Sequence, residues 1–203
     1  MHRKPLKAGT FLIAIVFAGC APEEARPVYG QVSRLLERID YDTDLDGKVE
    51  ARLYYSQGRP VRLEVDADTD GRVERWELYR IDGSMEKLGT STLGDGRADT
   101  WVSTNENTMT IEMSTHRDGL IDRREVHEGS VLRQAEIDTN RDGLPDQWQR
   151  FEGGRVVELA FDTTLQAAKP DRRFIYSGDG TIVRVEADTE GNGRFIEVPD
   201  ASR

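Results

Sequence analysis

The sequence predicts an all-β protein, an antiparallel array of about seven repeated β-hairpins, and three observations carry that expectation. A marker glycine, mostly preceded by Asp, recurs at Gly47, Gly71, Gly96, Gly119, Gly143 and Gly193, in steps of 23 to 25 residues with a last step of twice 25. Between the markers, apolar and polar residues alternate with period two, the signature of a strand with one apolar face. Turn signals then recur where each hairpin has to reverse. A helical solenoid fits poorly, because the runs between turn signals are only six to eight residues long and rich in Val, Ile, Tyr, Phe and Trp. A β-propeller is the alternative, although its blades generally need longer units of four strands.

The elements follow in order. In residues 1–19, Arg3, Lys4 and Lys7 precede an apolar run from Phe11 to Ala18, too short for a stable membrane span but suited to an export signal. Residues 20–39 read as a tether. Pro22, Glu23, Glu24 and Pro27 are loop formers, while Val32, Leu35, Leu36 and Ile39 recur at helical spacing and suggest an amphipathic turn or two. Residues 40–203 form the repeat domain. Its first unit runs from the acidic loop Asp42-Thr43-Asp44-Leu45-Asp46-Gly47 into a strand-like stretch from Lys48 to Tyr55. A turn at Ser56-Gln57-Gly58-Arg59 follows, and then a second strand-like stretch from Pro60 to Val65. Later hairpins should reverse at Asp82-Gly83, Asn105-Glu106-Asn107, Glu128-Gly129, Gly153-Gly154 and Gly178-Asp179-Gly180. One unit has lost its marker near Asp162–Ala167, with Ala167 expected at the glycine position.

Composition narrows the function. The chain carries 28 Lys and Arg against 38 Asp and Glu, and loss of residues 1–19 would remove three bases and no acid. Such a chain repels nucleic acid and anionic lipid surfaces. Its single Cys excludes an intramolecular disulfide, a Cys-based zinc site and a CxxC motif. Among nucleophile, phosphate-loop and metalloprotease motifs none occurs, and the regular spacing of the carboxylates speaks against a unique catalytic pair. The expectation is a non-enzymatic protein.

Three loops fit the pattern D-x-[DN]-x-[DN]-G-x-x-[DE]. They place Asp42, Asp44, Asp46, Lys48 and Glu50 in the first, Asp66, Asp68, Asp70, Arg72 and Glu74 in the second, and Asp138, Asn140, Asp142, Leu144 and Asp146 in the fifth. Alternate residues of a tightly curled loop aim side-chain oxygens inward. The sixth-position Gly allows the turn, the seventh residue (Lys48, Arg72, Leu144) offers a backbone carbonyl, and the ninth closes the cage. Calcium suits such an oxygen set better than magnesium, which keeps waters in a strict octahedron. Weaker loops hold Ser91, Leu93, Asp95 and Asp99, then Ser114, His116, Asp118 and Asp122, then Asp188, Glu190 and Asn192 with Ile196 in ninth place. The bland alternative is that Asp, Asn and Gly favour turns and charge a sheet edge against aggregation. Trp76, Trp101 and Trp148, each five residues after its marker, suggest packing between hairpins, with a sugar-stacking ladder as the other reading.

The acidic loops resemble those of EF-hands, dockerins and thrombospondin type 3 repeats. Glu77 even stands at the twelfth EF-hand position, but in an extended segment residues three apart face opposite ways, so a helix-free loop is the better comparison. Phe17-Ala18-Gly19-Cys20 resembles the bacterial lipobox, with Phe17 where that family most often has Leu. The resemblance implies removal of residues 1–19, lipidation of Cys20, and an envelope location. Ala21, in place of the Asp linked to inner-membrane retention, favours the outer membrane. A plain secretory signal is the alternative. Together these resemblances imply a calcium-binding lipoprotein held to the membrane through Cys20; the alternative is an envelope interaction scaffold that binds a protein or a glycan through its exposed sheet, with calcium only structural or absent.

Overall fold

The computed structural model describes residues 24–165 and 168–198, so the leader, Cys20 and Ala167 lie outside the described residues. Fifteen strands follow one another: β1 Glu24–Tyr29, β2 Leu36–Asp42, β3 Ala51–Ser56, β4 Arg59–Val65, β5 Arg75–Tyr79, β6 Met85–Thr90, β7 Thr100–Asn105 and β8 Thr108–Met113. The rest are β9 Arg123–Glu128, β10 Val131–Ile137, β11 Gln147–Glu152, β12 Arg155–Phe161, β13 Arg172–Tyr176, β14 Ile182–Ala187 and β15 Ile196–Glu197. They form one antiparallel meander in sequence order, and among the described residues each strand contacts only its neighbours in the chain. The expected hairpin array is therefore the fold, as a single open sheet without the separate blades of a propeller. No described helix is long and apolar enough to cross a membrane.

Tight turns account for the hairpins. Gln57 and Gly58, like Gly153 and Gly154, both have positive φ, as a two-residue type I′ turn requires for its twist to match the flanking strands. A register shift beside several of these turns, as at Tyr54/Tyr55 and Arg150/Phe151, adds a bulge and local twist.

Two expectations are corrected. The helical spacing of Val32, Leu35, Leu36 and Ile39 does not produce a helix, because β2 uses Ile39 opposite Leu53 and takes β1 as its partner on the other side. The sheet thus begins at Glu24, inside the segment expected to be a tether. The strand expected from Lys48 begins at Ala51 instead, since the Glu50 carboxylate turns back to accept the Thr43 N–H at 2.6 Å.

A sheet one layer thick cannot bury both faces, and its core is accordingly small. Cross-strand pairing sets Tyr41, Ala51 and Val65 in one row and Ile39, Leu53 and Leu63 in the next. The buried cluster is Ala51, Leu53, Leu63, Val65 and Tyr79, with Tyr41 and Tyr55 packed against it. The opposite face is held by polar side chains that span neighbouring strands. The Tyr54 hydroxyl donates to Glu64 at 2.9 Å beneath the Arg62 guanidinium, 4.4 Å from its ring. Lys87 crosses over the Trp101 ring to pair with Glu112, and Arg173 pairs with Glu186. Trp76 and Trp101 flank Gly89, their rings 6.2 Å apart; a Cβ on Gly89 would lie 2.6 Å from Trp101, so only glycine lets that indole lie flat on β6.

Leu63 is 1 % exposed and touches the only core cluster formed by the described residues. Leu63→Ala is expected to cost about 2–4 kcal/mol, measured by denaturant unfolding, with faster amide exchange concentrated in β2–β5 because coupling is between nearest neighbours.

Candidate metal centres

The tight turns occupy one end of the meander, so the inter-hairpin loops all emerge at the other. Two strands separate successive loops, about 10 Å at the usual strand spacing. They touch accordingly: Lys48 Nζ donates to Thr69 Oγ1 at 3.2 Å, Gly96 lies against Arg72, Gly119 against Arg97, and Arg141 pairs with Asp118.

Each loop is closed by its own side chains. The ninth-position carboxylate accepts the N–H of the second residue: Thr43 to Glu50, Ala67 to Glu74, Thr92 to Asp99, Thr115 to Asp122 and Thr139 to Asp146, at 2.6–3.0 Å. Where the second residue is Thr, its hydroxyl donates to the same carboxylate. The first-position Asp accepts the N–H of the marker glycine, as Asp42 does from Gly47 at 3.0 Å and Asp66 from Gly71 at 3.1 Å. The fifth residue accepts the N–H of the seventh, Lys48 to Asp46 and Arg72 to Asp70, both at 2.8 Å. The fourth residue, Leu45 or Thr69, and the sixth-position Gly both have positive φ, which curls the loop onto itself.

This curl gathers Asp42, Asp44, Asp46 and Glu50 so that one oxygen from each lies within 4.8 Å of the others, and Asp66, Asp68, Asp70 and Glu74 likewise. That span matches oxygens around one cation at 2.3–2.6 Å. In both loops two oxygens are buried with no hydrogen bond: Asp42 Oδ1 and Glu50 Oε1, then Asp66 Oδ1 and Glu74 Oε1. Asp42 is 1 % exposed, Asp66 3 % and Glu50 6 %. A buried acceptor without a partner costs about 1–3 kcal/mol, and more when charged. Two orphaned oxygens on gathered carboxylates, in both loops at equivalent positions, fit a divalent cation.

The other loops satisfy themselves. In the fifth, Asp138 accepts from Arg141, Asp142 and Gly143, Asp146 from Thr139 and Asn140, and Asn140 donates its amide to Asp142. Its predicted ligands stand in the predicted order, with Leu144 N–H on Asp142, but their oxygens carry hydrogen bonds. In the third and fourth loops Ser91 and Ser114 replace the first Asp and donate to Asp95 and Asp118, at 3.1 and 3.0 Å. His116 lies 2.8 Å from Asp122. Glu77 belongs to β5, paired opposite Leu63, and accepts the Tyr79 hydroxyl, away from the loop.

The unit without a marker keeps its closure. Asp171 accepts from Thr163, one residue later than the ninth place, and Ala168, three residues before it, has φ of 47°. The unit thus contains one extra residue, and Ala168 adopts the left-handed turn that glycine makes elsewhere. A further functional residue is the recurrent second-position Thr at 43, 92, 115, 139 and 163, whose hydroxyl donates to the closing carboxylate; its recurrence is legible in the sequence once that carboxylate is known to need a donor.

The closing hydrogen bonds also set acidity. Burial pushes Asp99 up, but the Thr92 hydroxyl and N–H and the Thr100 hydroxyl outweigh it and hold the carboxyl below its ordinary value. Asp122 is held low against burial by the Thr115 N–H, His116 and the Thr115 hydroxyl. The Leu120 N–H, then Arg141, bring Asp118 down to about 2. No protein-family model matches the chain, and no curated protein matches it.

A carboxyl whose folded pKa is lowered stabilises the fold above its unfolded pKa and loses that contribution as it protonates. The melting temperature is therefore expected to be insensitive to these three groups above about pH 5 and to fall as pH drops through the window from the ordinary 3.8 towards about 2. Asp118→Asn and Asp122→Asn should flatten that fall, as read by thermal unfolding across pH.

Proposed function

We propose that this chain is a non-enzymatic calcium-binding protein of the bacterial cell envelope, anchored by lipid on Cys20, in which calcium rigidifies the repeat loops. The observation that carries the reading is the pair of gathered carboxylate sets at 42–50 and 66–74, each with two buried oxygens lacking a hydrogen bond. Asp42, Asp44, Asp46 and Glu50 would hold one ion, and Asp66, Asp68, Asp70 and Glu74 the next. The hard, oxygen-only donor set and its exposed outer side suit calcium, which tolerates flexible loop geometry and additional water ligands. The ion would offset the mutual repulsion of four carboxylates and fix each loop against its hairpin. Binding to the folded state alone raises stability by mass action, about 2.7 kcal/mol at a hundredfold excess over the Kd. The leader and Phe17-Ala18-Gly19-Cys20 supply the envelope half of the reading, with the outer membrane as the favoured destination.

Calcium titrated into chelator-treated protein should release or absorb binding heat and raise the melting temperature by several degrees. The combined Asp42→Asn and Asp66→Asn variant should lose most of both responses. Absence of heat and of any thermal shift would overturn the cation reading. Separately, Cys20→Ser should move the protein from the membrane fraction to the soluble fraction of a producing bacterium.

A second reading has its own support: neither face of this single-layer sheet is covered by another layer among the described residues. Trp148, with Gln134, Glu136, Glu158 and Pro170, lines a depression of about 270 Å³. An envelope protein or glycan bound on that face would leave calcium a structural role. Trp148→Ala separates the two, since lost partner binding at unchanged melting temperature marks a binding face, whereas lower melting alone marks packing.

A further inference from the structure

The loops at 42–50 and 66–74 are near copies in sequence and hydrogen bonding, yet their surroundings differ in charge. Strand β1 reaches the first loop. Arg26 donates through Nη2 to Asp42 Oδ2 at 3.0 Å and to Glu24 at 2.6 Å. Asp42 Oδ2 also accepts the Gly47 N–H, leaving Oδ1 as the buried oxygen without a hydrogen bond. Asp66 Oδ2 accepts the equivalent bond from Gly71, and among the described residues no cation forms an ion pair with it. The first carboxylate therefore shares its charge with a guanidinium, and the second does not.

We infer that the two loops are cation sites of unequal strength, with 66–74 filling first and Arg26 holding down the affinity of 42–50; the inference rests on the cation reading above. The guanidinium withdraws charge from Asp42, the most deeply buried ligand of the loop, and it adds a positive charge a few ångströms from where a dication would sit. Arg26 is itself 43 % exposed, so water and salt screen much of its effect. A roughly three- to tenfold weakening is the size that a partly screened unit charge imposes on a dication at this range. Coupling of this kind is reciprocal. An ion in the first loop therefore weakens the contact that Arg26 of β1 makes with Asp42.

The test uses the full chain and calcium alone as the probe. Asp66→Asn with Asp70→Asn isolates the first loop, and Asp42→Asn with Asp46→Asn isolates the second. Calorimetric titration should give the isolated second loop the lower Kd. Arg26→Ala, and independently Arg26→Gln, placed on the background that isolates the first loop should lower its Kd roughly three- to tenfold and leave the isolated second loop unchanged. Circular dichroism of each variant establishes that the sheet has formed. Equal affinities in the two isolated loops, or an Arg26 substitution that leaves the first loop's Kd unchanged or raises it, overturns the inference while the cation reading stands. Failure of the unsubstituted chain to bind calcium overturns both.

Discussion

The fold depends on a short return contact, the carboxylate at the ninth position of five inter-hairpin loops turning back on the N–H of the second. It ties the start of the loop that leaves one hairpin to the residue just before the next hairpin, as Glu50 does for Thr43 and Asp146 for Thr139. The connection is needed because a meander one layer thick has little else to fix how successive hairpins meet. Its buried apolar cluster covers only β3, β4 and β5. Farther along, backbone ladders and loop closures carry the arrangement, and exposed ion pairs such as Arg124 with Glu136 contribute modestly.

The same contact makes the loops chemically distinctive. Once the ninth carboxylate is drawn in, its second oxygen has to be satisfied or left bare. At Asp99 and Asp122 a Thr hydroxyl and other donors engage the group and hold its pKa below the ordinary value. At Glu50 and Glu74 one buried oxygen stays without a hydrogen bond, on a carboxylate gathered with the Asp residues of its own loop. One loop architecture thus serves as a self-satisfied turn in the middle of the array and as a candidate cation cage near its N-terminal end. The cages have Asp at both the first and third positions; the third and fourth loops have Ser with Leu93 or His116 there, and the fifth, with Asp138 and Asn140, engages its carboxylates through its own N–H groups.

Much of the fold was legible from periodic residues. Gly47 and its counterparts marked the loops because a left-handed turn excludes most side chains, and Gly58 or Gly153-Gly154 marked the reversals for the same reason. Boundaries were less legible. Val32 to Ile39 carries a helical spacing that strand pairing overrides, because from Leu36 onward the backbone of β2 finds ladder partners on both sides, β1 and β3. The start of β3 moved from Lys48 to Ala51 because a side-chain contact to Thr43 decides where the loop ends.

The sequence by itself determined the repeat, the hairpins and the order of acidic residues in each loop, because these follow from local turn chemistry and from alternation along a strand. Only the tertiary structure decided which oxygens are buried without a donor, that the lettering of Asp138 to Asp146 is satisfied internally, and that Arg26 from another strand reaches Asp42. Those outcomes depend on where each carboxylate's second oxygen points and on which neighbouring strand brings a charge beside it. A linear pattern sets the identity and spacing of ligands; their free valence is set by packing across the sheet.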